Sequence, residues 1–174
     1  MADLGRFSSV DPVLFNGVDG ASPISHATVD SAYRVAELGA RVTIKGEEYV
    51  YIHNAAATDA SIGRGMVMSS LSGYSLTVSS VAANYDVPWC VVKHVSIPAG
   101  GFGWGLVRGL SPIAVDTTAA TGAYAKLGDD GIFSAFVGSA TANAIMGLPV
   151  VKILSSGTGI STTGLAMGYV RCFG

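Results

Sequence analysis

Charge is what this chain has least of. Charged residues are 13% of its 174 positions, about half the usual share. Lys and Arg number 10 against 12 Asp and Glu, for a formal net charge of −2. A basic footprint for a phosphate backbone is missing, so nucleic acid is not an expected partner. Cysteine is equally scarce. Cys90 and Cys172 are far apart, each inside an apolar, strand-like stretch, so a disulfide-dense scaffold is excluded. Buried free thiols in a reducing cytosol are expected, with a single disulfide as the alternative. No apolar run approaches the ~20 residues that span a bilayer as a helix, so no membrane partner is expected. The opening Met-Ala-Asp-Leu-Gly-Arg lacks a basic stretch followed by an apolar core and is not read as a signal peptide. His26, His53 and His94 stand at no metal-ligand spacing from one another or from a cysteine. Neither a metal nor a cofactor is expected.

What the chain does have is apolar mass and glycine: 49% hydrophobic residues and 23 Gly. Its length fits one domain whose core needs no disulfide, because roughly 70% of the unfolded surface is buried at this size. The charges crowd towards the N-terminal side. Beyond position 110 they are only Asp116, Lys126, Asp129, Asp130, Lys152 and Arg171. A surface so poor in charge suits a protein partly covered by partners.

Residues 1–27 read as an extended N-terminal arm. They hold Pro12, Pro23, Gly5, Gly17 and Gly20 and no sustained period, yet they carry Leu4, Phe7, Val10, Val13, Leu14 and Phe15. A solvated tail would be poorer in such residues. These six are the candidate anchors of a docking arm; the alternative is an arm packed on its own domain.

Residues 28–174 read as a single β-rich domain. One short helix is allowed at 28–39, with Thr28 as cap, Val29, Tyr33 and Ala36 on one side, and Gly39 as stop. From position 41 the pattern becomes β: alternation at 41–45, a turn at Gly46-Glu47, and an aromatic and β-branched run at 49–53. Strands follow at 66–69 and 74–79 across Ser72-Gly73. Others lie at 89–95 and 102–108 across Pro98-Ala99-Gly100-Gly101, and at 123–127 and 132–136 across Asp130-Gly131. Runs at 145–154 (with Pro149 at an edge or bulge) and 165–173 finish the chain. The spacing predicts a mainly β fold: a small β-barrel or β-tulip or sandwich with at most one short helix.

Chemistry is harder to find. No Gly-x-Ser-x-Gly elbow occurs. Gly159-Ile-Ser-Thr-Thr-Gly164 has Leu165 and Ala166 where a phosphate loop needs Lys and Ser or Thr. Glu47-Glu48 reads as a solvated hairpin tip and Asp129-Asp130 as a turn. Tyr49, Tyr51, Trp89 and Trp104 offer either a sugar-stacking platform or, more ordinarily, core. Nothing in the sequence sets His94 near an acid, and no enzyme is expected.

Four pieces taken in order carry a resemblance. They are Glu48-Tyr-Val-Tyr-Ile-His-Asn54 followed by Gly65-Met-Val-Met68; Ile97-Pro-Ala-Gly100 before Phe102-Gly-Trp-Gly-Leu-Val-Arg-Gly109; Tyr124-Ala-Lys-Leu-Gly-Asp-Asp-Gly131; and a late apolar strand at 150–154. Together they resemble the capsid decoration, or cement, proteins of tailed bacteriophages, over about half the chain. Thr121-Gly122-Ala123-Tyr124 departs from it, lacking the Gly-Asp pair expected before that strand. The resemblance implies a non-enzymatic β-module on the virion exterior, made in the host cytoplasm. It would bind the major capsid protein, as a homotrimer, through the N-terminal arm. Two alternatives stay open: another phage structural subunit (head fibre, tail or shell), and a carbohydrate-binding or adhesin module.

Overall fold

The structure, a computed structural model, describes residues 27–68, 75–77, 89–116, 120–135, 150–155 and 164–172. Its strands are β1 (Ala27–Thr28), β2 (Arg41–Ile44), β3 (Glu47–Asn54), β4 (Gly65–Met68), β5 (Ser75–Thr77) and β6 (Cys90–Val92). After them come β7 (Phe102–Val115), β8 (Tyr124–Leu127), β9 (Phe133–Ala135), β10 (Val150–Ser155) and β11 (Gly164–Arg171). The mainly β fold expected from the spacing is the fold observed.

The organising element is β7, 14 residues long and paired on both edges. On one edge it meets β3, from His53↔Phe102 to Glu48↔Arg108. On the other it meets in turn β1, β6 and β11, the last from Arg171↔Arg108 to Gly164↔Val115. Its first half closes a five-stranded barrel: β7 pairs with β6, β6 with β4, β4 with β5, β5 with β3, and β3 returns to β7. Its second half carries β11, then β10, β8 and β9, and β9 comes back to β7 through the parallel pair Val115↔Phe133.

Two cores follow from the period-2 alternation of strand side chains. Val50, Ile52, Met66, Leu76, Cys90, Val92 and Val107, with Ala60 and Ile97, fill the barrel. The opposite faces of the same strands send out Tyr49, Tyr51, Val67, Val91, Trp104 and Leu106. These join Ile113, Val115, Leu127, Phe133, Val151, Ile153, Ala166 and Val170 from the second half. So β3 and the start of β7 are buried on both faces, which is why their sequences run apolar without interruption. Each large side chain taken wholly from water, such as Phe133 or Ile153, contributes about 1.5–3 kcal/mol.

The barrel is narrow, and this accounts for Phe102-Gly-Trp-Gly. Gly103 and Gly105 face the barrel core. A Cβ on Gly103 would lie 2.8 Å from Ile97 Cγ1. One on Gly105 would lie 2.8 Å from Cys90 Cβ and closer still to its Sγ. Trp104, between them, points the other way and packs edge-on against Tyr51, ring centroids 5.0 Å apart.

Local readings fare unevenly. The β2–β3 turn is one residue earlier than expected: Lys45 and Gly46 both have positive φ (51° and 81°), as a two-residue type I′ hairpin requires. The Asp130-Gly131 turn joins β8 to β9, again with positive φ at both residues. The helix expected at 28–39 is a single 3₁₀ turn, Ser31–Tyr33, capped by Asp30 rather than Thr28. Thr28 is held in β1, and Val29 and Tyr33 are exposed. Gly39 N–H donates to Tyr51 O and Tyr51 N–H donates to Ala40 O. Strand-type bonding to β3 thus takes the backbone a helix would have used. The strand expected to end at Arg108 runs on through Gly109 and Pro112, because β11 pairs with it residue by residue to Val115. Ala27, read with the arm, already belongs to the sheet. The strand expected at 89–95 stops at Val92, and Pro149 lies outside the described residues.

Candidate functional site

The outward side of β7, β10 and β11 carries the largest group of exposed apolar side chains among the described residues. Register decides which residues share it. Tyr169 stands opposite Leu110, Met167 opposite Pro112, and Lys152 opposite Tyr169. Residues alternating with these, such as Ala166, Val170, Val151 and Ile153, turn into the core. Leu165 is 55% exposed, Leu110 46%, Leu154 45%, Met167 41% and Tyr169 39%. Arg108 and Arg171, directly opposite each other, and Lys152 rim this patch. Arg108 reaches Glu48 Oε1 at 3.4 Å and donates to Tyr169 Oη at 3.5 Å. An exposed pair of this kind contributes little to stability. The face is therefore apolar in the middle and mostly positive at its border.

A second constellation sits where the β2–β3 hairpin meets the bend after β6. Lys93 Nζ and Tyr49 Oη both donate to Glu47 Oε2, each at 2.5 Å. His94 Nε2 lies 2.9 Å from Tyr49 Oη. Because the phenol proton goes to Glu47, His94 must donate from Nε2, which fixes its tautomer. Burial raises the Glu47 carboxyl, but the bonds from Lys93 and Tyr49 outweigh it and hold the group below its ordinary value. Burial, and then the Glu47 charge, push the Tyr49 phenol far up, so it stays protonated. Burial and the Lys93 charge push His94 down, which keeps it neutral near pH 7. Glu47 is thus no solvated hairpin tip: it locks the hairpin to the segment after β6. Its neighbour Glu48 remains exposed. His94 lies beyond the end of β6 rather than in a strand, and Tyr49 links it to an acid. Its bonds join the β2–β3 hairpin to the segment after β6 and so anchor one to the other.

Asn54 is a third polar feature, buried at the end of β3. Its Nδ2 donates to the carbonyls of Thr58, Ile97 and Pro98 at 2.9–3.1 Å, and its Oδ1 accepts from Ala56 N–H. It ties the loop after β3 to the loop before β7.

Tyr49, Tyr51 and Trp104 are 1%, 0% and 3% exposed, so these three are core and form no sugar-stacking surface. Cys90 and Cys172 are free thiols, the first buried as expected and the second only half-buried against both cores. Burial pushes the Cys90 thiol up to about 12, and burial followed by the neighbouring Cys90 raises Cys172. Among the described residues no group of His, Cys, Asp and Glu could hold a metal ion. No helix among them is long and apolar enough to cross a membrane. The six arm residues, Leu4, Phe7, Val10, Val13, Leu14 and Phe15, lie outside the described residues.

No protein-family model matches the chain, and no curated protein matches it.

The face and the Glu47 lock were both missed from sequence. The run at 165–173 reads as a strand, but which of its side chains find cover depends on β7 and β10. The lock joins positions 47, 49, 93 and 94, a spacing no local motif announces.

Proposed function

We propose that the chain is a non-enzymatic virion structural protein that binds the outer surface of a phage capsid and stabilises it, as a homotrimer. The observation that carries this reading is the outward face of β7, β10 and β11. Five large apolar side chains at 39–55% exposure on one sheet surface are what a docking or subunit contact uses. The closed barrel supports it too: pairing around a ring leaves few free strand edges, which suits a module displayed in many copies without edge-to-edge aggregation. The major capsid protein is the proposed partner, the virion exterior the proposed location, and Leu4, Phe7, Val10, Val13, Leu14 and Phe15 the proposed shell anchors. A symmetric shell offers a trimer several copies of one site, so weak single contacts add up through avidity.

The experiment is to mix purified protein with undecorated shells and sediment them, while counting copies in virions by mass spectrometry against the major shell protein. Co-sedimentation that saturates, with a copy number near parity, supports the reading. A protein that stays in the supernatant, or a count of only a few dozen copies per virion, sinks it in favour of a fibre or tail part.

A further inference from the structure

We propose that copies of this chain join head to tail: the apolar face of β7, β10 and β11 on one copy takes the exposed segment 29–37 of the next. This rests on the homotrimer reading above and names the contact that builds the trimer. The first observation is where exposed apolar side chains lie. Among the described residues the large ones fall into two groups, with Ile62 besides. One group is the face, with Leu110, Leu154, Leu165, Met167 and Tyr169. The other follows β1 directly: Val29 is 63% exposed, Tyr33 69% and Val35 37%.

The second observation is charge. The face is bordered by Arg108, Lys152 and Arg171, with Glu48 beside Arg108. The segment carries Asp30 and Glu37, both exposed, against Arg34, whose guanidinium lies over the Phe102 ring at 5.3 Å from its centroid. Face on face would set one cationic border against another, and segment on segment would bring acids together. Like charges juxtaposed in this way oppose association. Of the three combinations, face on segment alone joins apolar to apolar and cation to acid.

The third observation is position. Thr28 pairs with Phe102, and Gly39 and Ala40 bond to Tyr51, which stands opposite Trp104. Both ends of the segment are thus fixed beside the first residues of β7. The face lies alongside Leu110 to Ala114, about 26–40 Å further along the strand from Phe102 at ~3.3 Å per residue. A chain cannot lay this segment on its own face, so the occupant is a second copy. A contact between two different patches is heterologous, and it repeats from copy to copy until a ring closes. Three copies form the smallest such ring.

The test uses the purified full chain without shells, so it is separate from capsid binding. Sedimentation equilibrium measures self-association of the native chain and of three variants. The face variant carries Lys152→Glu and Arg171→Glu. The segment variant carries Glu37→Lys and Asp30→Asn, the latter keeping a capping side chain. The third carries all four changes. The native chain is expected at three times 17.7 kDa. The face and segment variants should each associate about tenfold more weakly, and the fourfold variant should recover most of that loss, because its two borders are again opposite in sign. Val29→Ser with Tyr33→Ser removes apolar contact instead and should also weaken association. It lies at exposed positions and keeps the test decisive if a charge variant misfolds. A trimer that none of these changes weakens overturns the head-to-tail contact and leaves the homotrimer reading standing. A fourfold variant no stronger than the face and segment variants overturns it too, because the two borders then do not meet. A native chain that stays monomeric overturns the contact and the homotrimer together, while co-sedimentation decides shell binding separately.

Discussion

Replacing Gly105 by Ala asks whether the barrel is as tightly closed as its pairings require. Gly105 pairs with Val92 on β6 and Val50 on β3, and faces the barrel core. The added methyl would lie 2.8 Å from Cys90 Cβ, an atom fixed to the backbone of β6, and nearer still to Cys90 Sγ. Rotating the Cys90 side chain moves the sulfur but not the Cβ, so strands must shift. Overpacking of this kind costs roughly 1–3 kcal/mol. An opposing gain exists, since Ala loses less backbone entropy than Gly in a strand, by roughly 0.5–1 kcal/mol. The cost wins, and the net loss is about 1–2 kcal/mol. At about 2–4 °C per kcal/mol for a chain of this size, Tm falls by roughly 2–8 °C. Thermal unfolding followed by Trp fluorescence measures it. The decisive control is Cys90→Gly, which removes both offending atoms. Alone it is destabilising because it leaves a hole. Combined with Gly105→Ala the losses should fall short of their sum by about 1 kcal/mol or more. Strict additivity, or an unchanged Tm for Gly105→Ala, would mean that the two residues do not meet and that the β6–β7 register is wrong.

Further outcomes are expected. Asn54→Ala should cost about 2–4 kcal/mol, because the carbonyls of Thr58, Ile97 and Pro98 lose their shared donor; a change under about 0.5 kcal/mol in urea unfolding would show that water takes over its role. Stability should fall in acid in two stages. His94 has a folded pKa below 6.5, so the unfolded chain takes its proton first and stability drops as pH falls from 6.5 through the folded value. Glu47, held below 4.5, contributes stability that is complete above 4.5 and lost as pH falls through its folded value. Unfolding midpoints across pH for His94→Asn and Glu47→Gln should each lack their own stage, and curves parallel to the parent protein would refute the lock. Cys90 should react with a thiol reagent far more slowly in the native protein than in urea, since it is buried and its thiolate suppressed, and the half-buried Cys172 should be slowed less; labelling of Cys90 at the free-cysteine rate would contradict that burial.

Local pairs were legible because their information is local. The Asp130-Gly131 turn, the β6–β7 hairpin and the pairing of β4 with β5 each lie within a short stretch where turn chemistry and alternation agree. Barrel closure was legible only as a class. The pairs that close the two circuits, β3 with β5 and β7 with β9, are parallel and short, and nothing in either strand names its partner. The length of β7 was hidden by Gly109 and Pro112, which read locally as breakers. Gly109, with φ of 140°, sits where β3's partnership ends and β11's begins. Its Cβ would collide with Glu47, 2.8 Å from Cγ, so the glycine makes room for the lock. The helix at 28–39 failed because pairing with β7 and β3 outbid a weak local preference.

The two sides of the protein differ in how their polar groups are used, and this bears on where a partner binds. At the β2–β3 hairpin and at Asn54 the polar atoms are turned inward and joined to one another: Glu47 to Lys93 and Tyr49, Tyr49 to His94, Asn54 to three carbonyls. Such groups fix geometry, and a partner touching them would have to break bonds already made. On the outward face of β7, β10 and β11 the arrangement is reversed. The charged side chains stand at the border, and the middle is Leu, Met and Tyr in contact with water. Covering that middle costs few hydrogen bonds and removes apolar surface, at roughly 25 cal/mol for each Å². A contact made there is favourable in proportion to area, while one made on the lock is not. The proposed partner would therefore gain most on the second half of β7, while the locked hairpin keeps the first half, and with it the register of the whole strand, in place.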